Sequence, residues 1–385
     1  MELRIFDKTL EPLGVVDELD TLIWNIKYFD VGTFSLLAPI TDNNKKLLVQ
    51  GNILTKHDEK QEMSDVNGGV WRRAAQITYS HIAKDENGKE QIEVQGFMLS
   101  KWLSKRVVTP QLVLTATEQT IVTTLVNKNI GSGASAKRQF DQFEIISQDN
   151  LGGSNVEYSN DLLADLGQEV KAQAQAGKLG YDILVNERRK MFGFYLYKGR
   201  DLTSTNNDGN TPCIFSRDFD NVKDQEYESS IENIKNYIYV VGAADEEGTA
   251  PIVELDEAGA KGLELEEVYY DASSISRTYD DNGTTITIAE AIYLQMLVNA
   301  GRTELATYIE NINFVSNINT KANLKFRTDY DLGDRVTCTD AQWGIKLDAR
   351  ITEVQETYSK GKEQIEVTFG ESMPTLVEKI RKVRQ

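Results

Sequence analysis

Gly88-Lys89-Glu90-Gln91-Ile92-Glu93-Val94 and Gly361-Lys362-Glu363-Gln364-Ile365-Glu366-Val367 are one heptapeptide written twice in a single chain. The surroundings repeat as well. An Ile-Thr pair stands upstream of each copy, Ile77-Thr78 and Ile351-Thr352, and a Trp stands further back, Trp71 and Trp343, with Trp-to-Gly spacings of 17 and 18 residues. Earlier still come Gly51-Asn52-Ile53-Leu54-Thr55 and Gly333-Asp334-Arg335-Val336-Thr337, each reading as a tight turn into a strand. The run Asp85-Glu86-Asn87-Gly88 ends in an Asn-Gly pair, which accepts the positive φ angles of a hairpin tip. Ile92, Val94 and Phe97, with Gly96 among them, mark a strand that bends or bulges. The pattern predicts two copies of one β module separated by inserted α+β material. Three such subunits in a closed ring would present six similar modules. A trimer of this kind can mate with a six-fold partner on one side and keep three-fold symmetry on the other, and it needs no active site.

Outward from the repeat, the chain predicts an α+β, mainly β protein with two related small β-barrels, the second discontinuous, and inserted α+β and helical modules. Residues 1–110 form the first barrel: Leu3–Phe6, Leu22–Phe29 and Thr33–Leu37 are rich in β-branched and aromatic residues, with turn residues at short intervals. Residues 111–200 form an α+β module. Thr115-x-x-Glu118 is a capping-box pattern, and Ile121, Val122, Leu125 and Val126 share a helical face. Leu162, Leu163, Leu166 and Val170 predict a second helix stopped by Gly177 and Gly180, and Tyr181–Val185 and Phe192–Tyr197 predict strands. Residues 201–255 and 320–372 make the second barrel. Between them, 256–319 is a helical and loop insertion, with an acidic loop at Glu254–Glu267, a turn at Asp280–Gly283, a capping box at Thr287 and Glu290, and an amphipathic helix carrying Ile288, Ile292, Met296, Leu297, Leu305 and Ile309, broken at Gly301. A basic tail, 373–385, carries Lys379, Arg381, Lys382 and Arg384.

Composition narrows the function. The 385 residues carry 42 Lys+Arg against 60 Asp+Glu, a net charge of −18. So acidic a surface repels phosphate and disfavours stable nucleic-acid binding, while serving solubility. Cys213 and Cys338 are far apart and read as buried free thiols rather than a disulfide or zinc pair. The charged start Met1–Asp7 lacks a signal-peptide core, and no apolar run reaches the ~18 residues of a membrane helix. The expectation is a protein made in a cytoplasm and soluble there.

The sequence displays no catalytic constellation, cofactor motif or metal-site motif. The two histidines are His57 and His81, and His81 lies in a strand pattern. There is no G-x-S-x-G, H-E-x-x-H or P-loop. Gly131-Ser132-Gly133-Ala134-Ser135 lacks the following Lys-Ser/Thr pair and reads as a loop. Asp329-x-Asp331-x-x-Asp334 has the oxygen ligands calcium favours but not the later bidentate Glu of an EF-hand, so it reads as a turn, with calcium binding left open.

Arg4-Ile5-Phe6-Asp7, Leu22-Ile23-Trp24, Gly32-Thr33-Phe34 and the approach from Leu48 to Gly51-Asn52-Ile53 resemble the opening of siphophage tail hub proteins, also called tail-associated or baseplate hub proteins. Val94-Gln95-Gly96 with Leu99, Leu103 and Arg106 continues the likeness. So do Tyr197-Lys198-Gly199-Arg200-Asp201, Phe215-Ser216 and Phe219-Asp220-Asn221, and Tyr330–Val336 and Ile351–Val354 complete it over about 1–372. The resemblance implies a structural, non-enzymatic homotrimer at the virion tail tip, assembled in the host cytoplasm, with two tube-forming barrels per subunit. It implies as partners the distal tail protein ring, the tape-measure protein and receptor-binding or tail-fibre proteins, with DNA only passing through the lumen and no stable membrane insertion. Because this chain ends soon after the matching body, a host-binding or wall-cleaving arm would be a separate polypeptide. Acidity would suit a DNA conduit. The alternatives are a receptor- or carbohydrate-binding tail protein, which would expose aromatics such as Trp102 or Tyr269-Tyr270, and a tail-associated cell-wall hydrolase.

Overall fold

Alternation of buried and half-buried side chains runs unbroken through Thr21–Lys27 and Thr33–Pro39, the signature of strands with one face on a core. The computed structural model describes residues 2–57, 63–64, 70–84, 88, 90–146, 150–160, 163–256, 258–281, 284–308, 311–359 and 361–370. The expected turn residues Asp85–Asn87 and Asn282-Gly283, the helix residues Leu162 and Ile309, and the basic tail lie outside them.

The first segment contains β1 (Leu3–Phe6), β2 (Pro12–Val16), β3 (Thr21–Lys27), β4 (Thr33–Pro39), α1 (Asp42–Leu47), β5 (Ile53–Lys56), β6 (Met63–Ser64), β7 (Val70–Lys84) and β8 (Glu90–Met98). Its strands pair antiparallel in the order β2-β1-β5-β7-β8-β4-β3.

The next segment holds β9 (Val113–Ala116), α2 (Glu118–Asn129), β10 (Phe143–Ile145), β11 (Val156–Ser159), α3 (Leu166–Ala176), β12 (Gly180–Asn186) and β13 (Met191–Tyr197). The apolar stripes of α2 and α3 pack with β12 and β13 into one buried cluster, and β12 hydrogen-bonds Trp71–Arg73 of β7. Two expected helix starts move. The N-cap of α2 is Thr117, whose side chain accepts from the Thr120 N–H, while Thr115 sits in β9 and donates to Glu157. α3 starts at Leu166 behind Asp165, whose carboxylate accepts from the Gln168 N–H at 3.0 Å. Leu163 is exposed with φ +62°, so it belongs to the turn and not to the helix face. Aspartate satisfies an orphan N–H of the first turn, and that local bond decides the start.

Then follow β14 (Asp201–Leu202), β15 (Ile214–Ser216), β16 (Val222–Ser230), β17 (Tyr237–Gly242), β18 (Ile252–Asp256), β19 (Glu267–Ala272), β20 (Thr278–Asp281), β21 (Thr284–Thr287) and α4 (Glu290–Leu305). The chain ends in β22 (Asn311–Ile318), β23 (Arg335–Asp340), β24 (Ile345–Ser359) and β25 (Lys362–Gly370). β16, β22, β25 and β24 pair in that order, all antiparallel. On its other edge β24 carries β23 and, further along, β3. The two halves therefore share a continuous sheet and one hydrophobic cluster, running from Leu3 to Phe369.

The segment boundaries differ from the sequence reading in two places. β17 and β18, expected in the second barrel, form a small sheet with β19, and they pack beneath α4 in a separate cluster. β22, expected in the helical insertion, pairs with β16 and β25. The acidic stretch after Glu254 ends β18, makes a short turn at Gly262–Glu264 and enters β19. Gly301 does not break α4: a Cβ there would lie 2.5 Å from Val240 and 2.8 Å from Leu255, so the glycine lets the helix approach the sheet. Thr287 ends β21, Ala289 is the N-cap, and Glu290 binds Arg277 at 2.5 Å instead of closing a capping box.

Candidate functional site

The duplicated sequence folds twice into the same object. In the first hairpin the ladder runs Ile77↔Gly96, then a bulge at Thr78, then Tyr79↔Gln95 and Ser80↔Val94. In the second it runs Ile351↔Phe369, a bulge at Thr352, then Glu353↔Thr368 and Val354↔Val367. The strand before each hairpin also matches. Ile53↔Gln76 and Leu54↔Ala75 correspond to Arg335↔Arg350 and Val336↔Ala349. Gly51 N–H donates to the Ile77 carbonyl and Gly333 N–H to the Ile351 carbonyl, both at 2.8 Å. The return bonds, Ile77 N–H to Asn52 and Ile351 N–H to Asp334, are 2.9 and 2.8 Å. Gly51 and Gly333 have φ of +93° and +94°, the left-handed region glycine enters at little cost. The match extends to strands with no sequence repeat: Phe34↔Gly96 and Phe314↔Phe369 occupy the same rung, so β4 corresponds to β22, and β3 to β16.

The tryptophans do not correspond. Trp71 is buried in β7, where Gly193 makes room for its ring, whereas Trp343 lies half-exposed on the turn before β24 with the Arg217 guanidinium 5.1 Å from its ring. Similar spacing arose because an indole marks each approach to the hairpin, on the core side in one copy and the surface in the other.

The halves meet where β24 pairs with β3, from Glu353↔Lys27 to Ser359↔Thr21. A charged cluster is buried beside this seam. Glu356, opposite Trp24, receives Lys56 Nζ at 2.5 Å and Arg327 at 3.2 Å, and all three side chains are at most 5% exposed. The Lys56 ammonium also lies 5.6 Å from the Trp24 ring and 5.4 Å from that of Tyr358. Burial pushes the Glu356 carboxyl up, but Lys56 and Arg327 outweigh it and bring the pKa down to about 2. The cluster ties β5 of the first half to β24 of the second. The residue that signalled it was legible: Glu356 occupies the inward phase of its strand between Val354 and Tyr358.

Tyr28 closes the seam from the other end. Its N–H donates to the Thr352 carbonyl at 2.9 Å, its hydroxyl accepts from Gly199 N–H at 3.3 Å and donates to the Lys178 carbonyl at 3.1 Å, and Arg350 lies 5.1 Å from its ring. A Cβ on Gly333 would fall 2.2 Å from that ring.

The other residues singled out by sequence take structural parts. Asp334 is buried and accepts from the Arg200 backbone at 2.7 Å, its guanidinium at 2.6 Å and the Asp331 N–H at 2.8 Å. Asp329 accepts from Lys325 N–H and Asp331 from Leu332 N–H, both at 2.7 Å. The three carboxylates hold a turn together, and among the described residues no cluster of three or more His, Cys, Asp or Glu is placed to hold a metal. His57 and His81 are exposed and far apart in the fold of the first half, one after β5 and one within β7. The Gly131–Ser135 loop follows α2, with Asn127 accepting from Ser132 and Gly133. Both cysteines are buried free thiols; burial raises the Cys338 thiol and pushes Cys213 up to about 11. Trp102 is not an exposed aromatic. It is buried against Phe140 and Phe192, and its indole N–H donates to Gln76 at 2.9 Å. Tyr269 is 62% exposed, while Tyr270 packs on the α4 cluster.

This two-module arrangement with an interposed α+β segment is the fold of phage tail proteins. A tail protein from Neisseria meningitidis MC58 superposes with a TM-score of 0.55 at 11% identity, covering 96% of each chain. The 43 kDa tail protein of prophage MuSo2 from Shewanella oneidensis gives 0.54 at 10%, over 96% and 98% of the two chains. Prophage tail protein gp18 from Listeria monocytogenes EGD-e gives 0.51 at 10%, over 100% and 98%. Residues 2–371 match the siphovirus ReqiPepy6 Gp37-like protein family, so the chain belongs to that family of siphovirus tail proteins. No curated protein matches. The chain is thus a component of a phage tail, and no described helix is long and apolar enough to cross a membrane.

Proposed function

We propose that the protein is a non-enzymatic hub of the tail tip: three copies form a ring that adapts the six-fold tail tube and distal tail ring to a three-fold tip and encloses part of the DNA path. The observation that carries this reading is the shared register of the β7–β8 and β24–β25 hairpins, because two matching modules per chain turn three chains into six positions. The division we assign is a first module over 1–110, an α+β module over 111–200, a second module built from β16 and β22–β25, and an outlying unit of β17–β19 and α4. The ring would contact the distal tail protein above, the tape-measure protein within and receptor-binding or tail-fibre proteins below. The net charge of −18 would favour passage of DNA without retention.

The test is the mass of the purified chain by multi-angle light scattering, followed by negative-stain imaging. Three chain masses and ring-shaped particles are expected. A single chain mass at all concentrations overturns the reading. Incubation with host peptidoglycan should release no fragments; release would favour the hydrolase reading instead.

A further inference from the structure

β24 and β7 occupy the same place in their two modules, yet among the described residues one is covered along its outer edge and the other is bare. Beyond the bulge, Glu353–Ser359 lies against β3, and Val354 and Glu356 are buried. The matching stretch of β7, Tyr79–Lys84, has no strand beside it on that edge among the described residues, and all but Ser80 is exposed. Tyr79 is 46% and Ile82 58% exposed. The Thr352 carbonyl takes the Tyr28 N–H, whereas its counterpart on Thr78 accepts from the exposed side chain of Gln50 at 3.3 Å.

The complementary bare edge lies in the other module. β16, the counterpart of β3, pairs with β22 alone among the described residues. Its Tyr227 stands where Trp24 stands in β3, and Ile231, just past its end, where Tyr28 stands; they are 38% and 71% exposed. Exposed edge strands with apolar side chains are templates for pairing with another chain. The charges also match. Tyr79–Lys84 holds His81 and Lys84 and no acid, while Val222–Ser230 holds Asp224, Glu226 and Glu228 against one cation, Lys223.

From these observations we infer that β7 of one copy pairs antiparallel with β16 of a second copy, in the register that β24 and β3 already use within the chain. Transferring that register rung by rung gives Ser80 opposite Ser229, His81 opposite Glu228, Ile82 opposite Tyr227, Ala83 opposite Glu226 and Lys84 opposite Gln225. The contact is heterologous, since each copy offers β7 to one neighbour and β16 to the other, so it closes only as a ring. Ile82 and Tyr227 form its apolar centre, His81 faces Glu228, and Lys84 faces Gln225. The inference deepens the ring reading and rests on it.

Oxidative cross-linking of Ser80→Cys/Ser229→Cys tests it, because facing Cα atoms of paired strands lie within disulfide reach. On non-reducing gels the expected products are two-chain and three-chain species and nothing longer. The out-of-register pair Ser80→Cys/Gln225→Cys should cross-link at least ~10-fold less. A mixture of the two single variants should yield only the two-chain product. Light scattering on the unmodified chain runs in parallel. Three chain masses without the Ser80–Ser229 link would overturn this register and leave the ring standing. One chain mass and no link would overturn both. A ladder extending past three would support the edge pairing and overturn closure at three.

Discussion

The β7–β8 and β24–β25 hairpins share length, bulge and register but not surroundings. β24 buries an ion cluster and a partner strand at the seam between the halves, and its positions Val354 and Glu356 are closed to water. β7 puts Ser80 and Ile82 at the same positions and leaves Ile82 in solvent. The backbone program is therefore set by the hairpin itself, and what each copy buries is set by which neighbour it meets. Glu356 and Ile82, occupants of one structural position, show the consequence: a carboxylate is tolerated where two cations face it, and an aliphatic chain waits where none does.

Breaking the seam should give the largest effect. Glu356→Ala leaves Lys56 and Arg327 buried beside each other, and loss of one member of such a pair costs about 3–5 kcal/mol. Chemical denaturation would measure it. The double change Lys56→Met/Glu356→Leu should recover most of that loss, because similar-volume apolar pairs replace buried ion pairs at little net cost. The same group sets an acid response. Its carboxyl titrates near 4.5 when unfolded and near 2 when folded, so its stabilisation is complete above about pH 4.5 and falls away as pH drops toward 2. Glu356→Gln should flatten the unfolding midpoint across that window; an unchanged slope would remove the ion cluster from the account.

The next largest effects probe equivalence. Ile77→Ala and Ile351→Ala truncate twin residues, both essentially inaccessible, and each should cost about 2–5 kcal/mol, with the pair agreeing within about 1 kcal/mol. A large disparity in urea titrations would mean the shared register does not carry shared packing. Gly51→Ala and Gly333→Ala sharpen the contrast. The two share one backbone strain, about 1–2 kcal/mol. Only Gly333 faces the Tyr28 ring, at 2.2 Å, while Gly51 meets nothing nearer than the Lys8 chain at 3.4 Å, so Gly333→Ala should cost about 1–3 kcal/mol more. Smallest is Trp343→Ala, expected to change thermal stability by no more than about 0.5 kcal/mol because the ring is at the surface. A loss comparable to that of a core tryptophan would make the two indoles equivalent after all.

Much of this is legible in the sequence alone. The Glu-Gln-Ile-Glu-Val of the heptapeptide, the Ile-Thr pairs and the Gly51 and Gly333 turns all landed on matching rungs, because bulges and tight turns depend on a few local residues. The helix face of α2 was equally legible from its period; on α4, Met296, Leu297 and Leu305 face the core as expected, but Ile288 lies ahead of the helix, Ile292 is exposed and Tyr293 is buried in its stead. Helix starts were not, because Thr117 and Asp165 won a competition among neighbouring capping residues that spacing alone does not resolve. The tryptophan match misled, since an indole near a hairpin fits either a core or a surface. The β3–β16 correspondence was hidden altogether: Leu22-Ile23-Trp24 and Gln225-Glu226-Tyr227 share no pattern, because one edge is covered by β24 and the other, among the described residues, is not.

The sequence by itself determined that one β unit is used twice and where each hairpin turns, since those choices are made by residues adjacent in the chain. Only the tertiary structure decided that the halves join through β3 and β24, that Lys56, Arg327 and Glu356 meet, and that β7 and β16 keep open edges among the described residues. Those outcomes depend on groups some 300 positions apart being brought into contact and losing their water together, which no local pattern encodes.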